Sequence, residues 1–125
     1  MGAQGIFDFG EDVGAGTIVK LVGNFMIASA GYTMREALAM AKRNGVEPKA
    51  VADMLTRTLF PAPIYQSYGA RIAAGAASFS QSAIPLKDVG LFKTAAHHVD
   101  VPTPLSDRLY DLLHDDAAHL DIKPA

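Results

Sequence analysis

The sequence predicts an all-α domain of five helices, led by one long helix. Two observations carry this prediction. From Ala15 to Arg43 the chain contains no proline, and apolar residues recur at steps of three and four, which is the spacing of one helix face. After that run, proline or glycine separates four shorter segments whose patterns are also helical.

The long helix is expected to begin after Gly14 and to end at Asn44 and Gly45. Both of these residues tolerate the left-handed backbone conformation that commonly ends a helix. At 1.5 Å per residue such a helix is about 40 Å long, so it is expected to lie against more than one neighbour. Gly23 and Gly31 inside it each cost up to about 1 kcal/mol relative to alanine, which predicts close approach by another element.

The four shorter helices are each bounded by turn signals. They are predicted at about 48–58, 64–74 and 85–98, and from Pro104 onward. Proline is favoured in a first helical turn, and Thr103 is a suitable N-cap for the last helix. On that helix Leu105, Leu109 and Leu112 fall on one face, which is therefore expected to be buried.

Composition excludes several classes of function. The chain has 125 residues, half of them apolar, and a net charge of −2, so it is expected to form one globular domain that binds neither nucleic acid nor membrane. It has no cysteine, which excludes disulfides, cysteine zinc sites and thiol nucleophiles. No apolar run is long enough to span a bilayer, and the start is unlike a signal peptide, so a cytoplasmic location is expected.

The segment GIFDFG at residues 5–10 is predicted to form a short strand. Nothing later in the chain is a candidate partner for it, and a lone strand cannot satisfy its edges. We therefore expect this strand to belong to a sheet formed by residues upstream.

The glycines in GEDVGAGTIVK do not form a nucleotide-binding motif. A phosphate loop requires a Gly-Lys pair followed by a hydroxyl residue, and neither is present. A dinucleotide fingerprint requires a third glycine where Val19 stands. The glycines are interpreted as the hinge before the long helix, and anion binding at its N-terminus stays open.

Two pairs of polar residues are candidates for a site. Lys20 and Asn24 are four apart and share one face of the long helix. Lys20 either extends its ammonium into water or lies at a cleft, where partial desolvation would make it an acid or base near neutral pH. Lys87 and Asp88 open the fourth helix, where an acid in the first turn would complement the helix dipole.

Other polar residues are weaker candidates. His97 and His98 point in different directions on a helix, as do His114 and His119, so no metal site is predicted. Asp115 and Asp116 are expected on a solvated face.

Taken together, GAGTIVKLVGNF, the long helix and the later LKDVGLF resemble the second domain of the β-hydroxyacid dehydrogenases. This family includes 3-hydroxyisobutyrate dehydrogenase, tartronate semialdehyde reductase and, more distantly, 6-phosphogluconate dehydrogenase. The family pattern here is Gly-x-Gly-x-x-x-Lys-x-x-x-Asn, and Gly14, Gly16, Lys20 and Asn24 match it in order.

The resemblance implies an NAD- or NADP-dependent oxidoreductase that interconverts a 3-hydroxy acid and its semialdehyde or keto form. It implies that Lys20 is the catalytic acid or base and that Asn24 binds the substrate. It further implies that Lys87 contacts the cofactor and that Asp88 shapes the substrate end of the site. The family generally associates through this domain, so a homodimer or larger homo-oligomer is expected.

The sequence departs from the family in two ways. The sequence contains no Rossmann domain, which in the family would bind most of the cofactor. Residues 1–12 are therefore interpreted as the last strand and linker of such a domain. Residues 13–125 are interpreted as the all-α substrate and dimerisation domain. Alone, such a fragment is expected to be inactive. In addition, Ser80 stands where the family often has a phenylalanine, and Phe79 precedes it. The alternative hypothesis is a helical dimerisation module without catalytic activity.

Overall fold

A computed structural model describes residues 14–75 and 84–119, and the described residues form five α-helices without a strand. The helices are α1 (Ala15–Arg43), α2 (Pro48–Arg57), α3 (Pro63–Ala73), α4 (Ile84–His98) and α5 (Pro104–His119). The all-α prediction is confirmed. The strand predicted at 5–10, the domain boundary at 12 and the positions of Phe79 and Ser80 lie outside the described residues.

Helix α1 begins and ends at the signals that the sequence predicts. Gly14 precedes it with φ of 101°, a left-handed conformation that glycine adopts without strain. At the other end the Asn44 side-chain amide donates to the Met40 carbonyl oxygen at 2.9 Å, and Gly45 has φ of 78°. None of the helices in the two described ranges is long and apolar enough to cross a membrane.

One side of α1 packs against α2 and α3 in the first apolar cluster. Its buried residues are Ala30, Met34, Leu38, Ala52 and Tyr68. The three helices approach closely at Gly69, where an added Cβ would lie 3.2 Å from the Ala52 Cβ and 3.3 Å from the Met34 Cε. Glycine at position 69 therefore sets the separation between α3 and its neighbours.

The opposite side of α1 packs against α4 and α5 in the second apolar cluster. Four residues of α4 and α5 are buried there, and four partly buried apolar residues pack against them. The buried residues are Leu86, Val89, Leu109 and Leu113, and the partly buried ones are Phe25, Ala28, Tyr32 and Tyr110. Val89 is fully buried, so α4 has little freedom to rotate or slide on α1.

The buried stripe of α5 differs from the predicted one. Ser106, Leu109 and Leu113 face the core, whereas Leu105 is 74% exposed. The stripe therefore follows i, i+3 and i+7 from Ser106, a polar residue that hydrophobic periodicity overlooks. Leu105 lies about 100° away from that stripe and lines a surface cavity with Phe60 instead.

A hydrogen-bonded chain of side chains holds the turn between α4 and α5. The Thr103 hydroxyl donates to Asp107 Oδ1 at 2.8 Å, and His97 Nε2 lies 2.7 Å from the same hydroxyl oxygen. Since the hydroxyl has one proton, His97 Nε2 must be the donor to Thr103. The Thr103 hydrogen bond and the nearby Lys93 ammonium hold the pKa of Asp107 below its usual value.

The far end of α5 is tied to α1 through Asp116. The Tyr32 hydroxyl donates to Asp116 Oδ2, and Arg35 Nη1 lies 3.1 Å from the same oxygen. The expectation of a solvated face is therefore confirmed for Asp115, which is exposed, and wrong for Asp116. Its partners stand on another helix, more than eighty residues earlier, so no local pattern indicates them.

The expectation of close packing at Gly23 is also wrong. In the described part of the chain no atom of another element lies within 4 Å of a Cβ built at Gly23. Gly31 is buried, as the expectation requires.

Replacing Gly23 by alanine is expected to stabilise the chain. Alanine fits the open space and lowers the entropy of the unfolded chain, so Gly23→Ala should raise the free energy of unfolding by about 0.5–1 kcal/mol. Gly69→Ala is the matched control, and overpacking against Ala52 and Met34 should lower the same free energy by about 1–3 kcal/mol. Urea unfolding measures both. A destabilised Gly23→Ala variant would contradict the open packing at this position.

Alkaline pH is expected to destabilise the chain partly through Tyr32. Burial of the ring and the hydrogen bond to Asp116 raise the pKa of Tyr32 well above its usual value. Below about pH 10 both the folded and unfolded states keep the proton, so the stabilisation is fully present. Above that pH only the unfolded state ionises, so stability falls as pH rises toward the folded-state pKa.

Urea unfolding at pH 9 to 11.5 should therefore show a steeper loss of stability for the wild type than for Tyr32→Phe. Burial also raises the pKa of Tyr68, so some alkaline loss should remain in the variant. If the free energy of unfolding falls equally with pH in the two proteins, Tyr32 does not contribute to the alkaline loss of stability.

Candidate functional site

The candidate site lies where the N-terminal half of α1 meets the start of α4. The rings of Phe25 on α1 and Phe92 on α4 are stacked, with centroids 4.4 Å apart and planes inclined by 22°. Each ring is adjacent to a candidate residue: Phe25 follows Asn24 along the chain, and Phe92 stands one helical turn after Asp88. The stack therefore fixes the distance between the two backbones that carry those side chains.

Asn24 and Asp88 are in direct contact across the two helices. Asn24 Nδ2 donates to Asp88 Oδ2 at 2.9 Å, and the pair is partly buried. An ionised carboxylate only accepts hydrogen bonds, so the chemistry of the pair identifies the amide nitrogen as the donor. The structure thus brings together two of the four predicted site residues, although they are 64 positions apart in the chain.

An interaction with the helix dipole does not account for the position of Asp88. Helix α4 begins at Ile84, so Asp88 is its fifth residue, and the first turn contains no acid. The interaction with the helix dipole falls off beyond that turn. The contact that accounts for the position of Asp88 is the hydrogen bond with Asn24.

Lys20 and Lys87 are both exposed. Within the described ranges neither ammonium has a hydrogen-bond or ion-pair partner. Lys20 lies one turn before Asn24 on the same face of α1, and Lys87 is adjacent to Asp88. The roles expected for the two lysines, proton carrier and cofactor contact, stay predictions.

Exposed apolar side chains border this polar group. By helical periodicity Ile27 lies on the same face of α1 as Lys20 and Asn24, and it is 39% exposed. Leu91 lies near Lys87 and Asp88 on the surface of α4 and is 46% exposed. The described part of the site is therefore an open polar surface with an apolar border.

Two surface cavities lie beside other parts of the described helices, and the second of them is also lined by Phe25. One of about 510 Å³ lies between α2 and α3, and one of about 300 Å³ lies beside the middle of α1. Neither is lined by any of the four predicted site residues. In the residues that the structure describes, no group of three or more His, Asp or Glu side chains could hold a metal ion.

Comparison with known proteins identifies a family. A family model described as "NAD-binding of NADP-dependent 3-hydroxyisobutyrate dehydrogenase" matches residues 14–122. The fold is similar to a crystal structure of 3-hydroxyisobutyrate dehydrogenase from Salmonella typhimurium, with a TM-score of 0.78 and 20% sequence identity. That match covers 94% of this chain and 41% of the solved one.

Two curated relatives are similar in sequence. L-threonate dehydrogenase from Cupriavidus necator is 28% identical over 102 residues, which are 81% of this chain and 34% of the relative. The NADH-dependent oxidoreductase ucdB from Aspergillus ustus is 36% identical over 66 residues, which are 53% of this chain and 23% of the relative. The chain thus aligns with about a third or less of the length of these curated relatives.

Phe92 is not among the site residues that the sequence predicts. Its only local signal is the i, i+4 spacing from Asp88, which places both side chains on one face of α4.

Removing the Phe92 ring is expected to weaken the contact between α1 and α4. Phe92→Ala should lower the free energy of unfolding by about 2–4 kcal/mol, since it removes a partly buried ring and its stacking on Phe25. Phe60→Ala is the matched control, because Phe60 also faces an aromatic ring, that of Tyr65, but is more exposed. Denaturant unfolding should show the smaller loss for Phe60→Ala. Equal losses would contradict the importance of the Phe25–Phe92 stack.

Proposed function

The chain belongs to the family described as "NAD-binding of NADP-dependent 3-hydroxyisobutyrate dehydrogenase", and from this premise we propose its function. It acts as the helical, substrate-binding domain of an NAD(P)-dependent dehydrogenase that interconverts a 3-hydroxy acid and its semialdehyde or keto form. The observation that carries the proposal is the Asn24–Asp88 hydrogen bond, one helical turn from the exposed Lys20.

Lys20 is the proposed proton carrier. Oxidation of a secondary or primary alcohol removes the hydroxyl proton together with a hydride from the carbon, so a base must lie beside the hydroxyl group. An amine on one face of a helix, followed one turn later by an amide, can approach a single hydroxyl group with both side chains. In the direction of reduction, Lys20 Nζ returns the proton to the oxygen.

The nicotinamide cofactor, when bound, supplies the exchange of hydride with the carbon that carries the hydroxyl. The residues present suit such a group, since Lys87 offers an exposed cation beside Asp88 at the end of α4 that is nearest to Asn24. Lys87 would contact the cofactor there through its ammonium. A separate nucleotide-binding domain would hold most of the cofactor, and the relatives are long enough to contain one.

The substrate class is proposed from the family and the relatives. The matched names refer to 3-hydroxyisobutyrate and L-threonate, both small hydroxy acids. Substrates of this class suit an open polar surface with an apolar border, which a second domain would cover. Because that domain is needed for the cofactor, the chain alone is not expected to catalyse turnover.

A second candidate function is a helical association module without catalytic activity. It is favoured by an exposed apolar stripe on α1 formed by Ile18, Val22 and Met26, nearly opposite Lys20. Such a stripe suits a homodimer or larger homo-oligomer, which is also compatible with the enzyme. The two hypotheses differ in what they require of Lys20, because only the enzyme needs its amine.

Lys20→Ala is expected to abolish turnover without unfolding the domain. Joined to an NAD(P)-binding domain, the wild-type chain should oxidise 3-hydroxyisobutyrate or L-threonate, measured by reduced nicotinamide absorbance. Loss of the proton carrier should lower kcat by at least about a hundredfold. Because Lys20 is exposed, the free energy of unfolding should change by no more than about 0.5 kcal/mol.

Lys49→Ala is the matched control. Lys49 is also an exposed helical lysine, and its ion pair with Asp53 on α2 lies away from the site. Removing the Lys49 side chain should leave kcat within about twofold of the wild type. A Lys20→Ala enzyme that keeps a tenth or more of the wild-type kcat would show that Lys20 is not the proton carrier.

A further inference from the structure

We propose that Asp88 is a positioning residue that orients Asn24 and thereby selects which group of the substrate binds there. Asp88 holds the Asn24 amide nitrogen, so the amide oxygen remains to accept a hydrogen bond from a substrate hydroxyl. The substrate carboxylate is kept away from this end of the site. This inference rests on the proposed function and deepens it.

The hydrogen bond with Asp88 gives the Asn24 amide one orientation. The two ends of an asparagine amide are nearly equal in size but opposite in hydrogen-bonding character, so a free amide can present either end. The bond from Asn24 Nδ2 to Asp88 Oδ2 removes that freedom, because the reversed amide would place two acceptor oxygens together. Since the acceptor is charged, the bond is stronger than one between neutral groups.

Both Asn24 and Asp88 are flanked by residues that are fixed by packing. Asp88 stands beside Val89, which is fully buried in the second apolar cluster. Asn24 stands beside Phe25, whose ring is stacked on Phe92. Both backbones are therefore fixed by packing, and Asp88 cannot move away without disturbing the core.

The orientation of Asn24 determines which group of a substrate it can bind. No hydrogen bond to Asn24 Oδ1 occurs within the described ranges, so this acceptor remains for a donor such as a hydroxyl. A substrate carboxylate offers only acceptors, so at Asn24 it could bind only the second proton of Nδ2, where it would lie close to the Asp88 charge, which repels it. A hydroxyl has no such penalty and can donate to Oδ1.

The first experiment uses the full chain and needs no activity. In ¹⁵N NMR spectra the side-chain amide protons of Asn24 should exchange slowly and lose that protection in Asp88→Leu. Asp53→Asn is the matched control, because it removes a carboxylate from the exposed ion pair on α2 and should leave the Asn24 signals unchanged. Asn24 signals that stay the same in Asp88→Leu would overturn the positioning role.

The second experiment measures kinetics after the chain is joined to an NAD(P)-binding domain. Asp88→Leu should lower kcat/KM by about tenfold or more, the expected effect of losing a charged hydrogen bond. Asp88→Asn should recover most of it, since its side-chain oxygen can still accept from Asn24. If Asp88→Leu and Asp88→Asn lose kcat/KM equally, the role of Asp88 is purely structural.

The deciding variant exchanges the two groups. Asn24→Asp should be nearly inactive, because it places a second carboxylate against Asp88. In the double variant Asn24→Asp with Asp88→Asn, the residue at 88 donates and the residue at 24 still presents an acceptor oxygen to the substrate. We expect kcat/KM at least about tenfold above Asn24→Asp alone. No recovery would mean that Asn24 serves the substrate as a donor, which overturns the inference.

The outcomes separate this inference from the proposed function. If the wild-type enzyme oxidises neither hydroxy acid, the proposed function fails together with the substrate part of the inference, while NMR still decides whether Asp88 orients Asn24. If the wild type is active and the double variant is not restored, only the inference fails.

Discussion

The structure depends on α1 being buried on two opposite sides. Ala30, Met34 and Leu38 face the first apolar cluster, while Phe25, Ala28 and Tyr32 face the second. In the described ranges α2 and α3 pack on each other and on α1, and α4 and α5 do the same, but the two pairs do not pack together. A helix of 29 residues is long enough to serve both pairs in succession, so its length is a requirement of the fold.

This arrangement also explains where the candidate site lies. Helix α4 covers one side of the N-terminal half of α1, so the residues at that border are neither fully buried nor freely solvated. Asn24 and Asp88 occupy the border and satisfy each other. Lys20 lies one turn beyond it and is exposed. Partial burial of this kind strengthens polar contacts while leaving access for a small ligand.

Local signals in the sequence predicted the helices well, because prolines, glycines and Asn44 act on the backbone within a few residues. The family motif also selected Asn24 and Asp88, whose contact the structure then showed. Long-range partners could not be predicted from local patterns. The packing role of Ser106 and the tie from Asp116 to Tyr32 depend on how α5 rotates against α1, which hydrophobic periodicity sets only roughly. The open space beside Gly23 likewise depends on how α2 to α5 are placed around α1, which local patterns do not determine.

The Asn24–Asp88 pair weighs on the choice between an enzyme and an association module. Holding a carboxylate and an amide at a partly buried helix contact carries a desolvation cost, and two apolar side chains would stabilise the same contact at least as well. An association module therefore does not require a pair that includes a charged carboxylate at this border. The exposed stripe of Ile18, Val22 and Met26 already provides an apolar surface on the other side of α1. A site that must present one defined hydrogen-bonding edge beside an amine does give such a reason, and this difference favours the dehydrogenase.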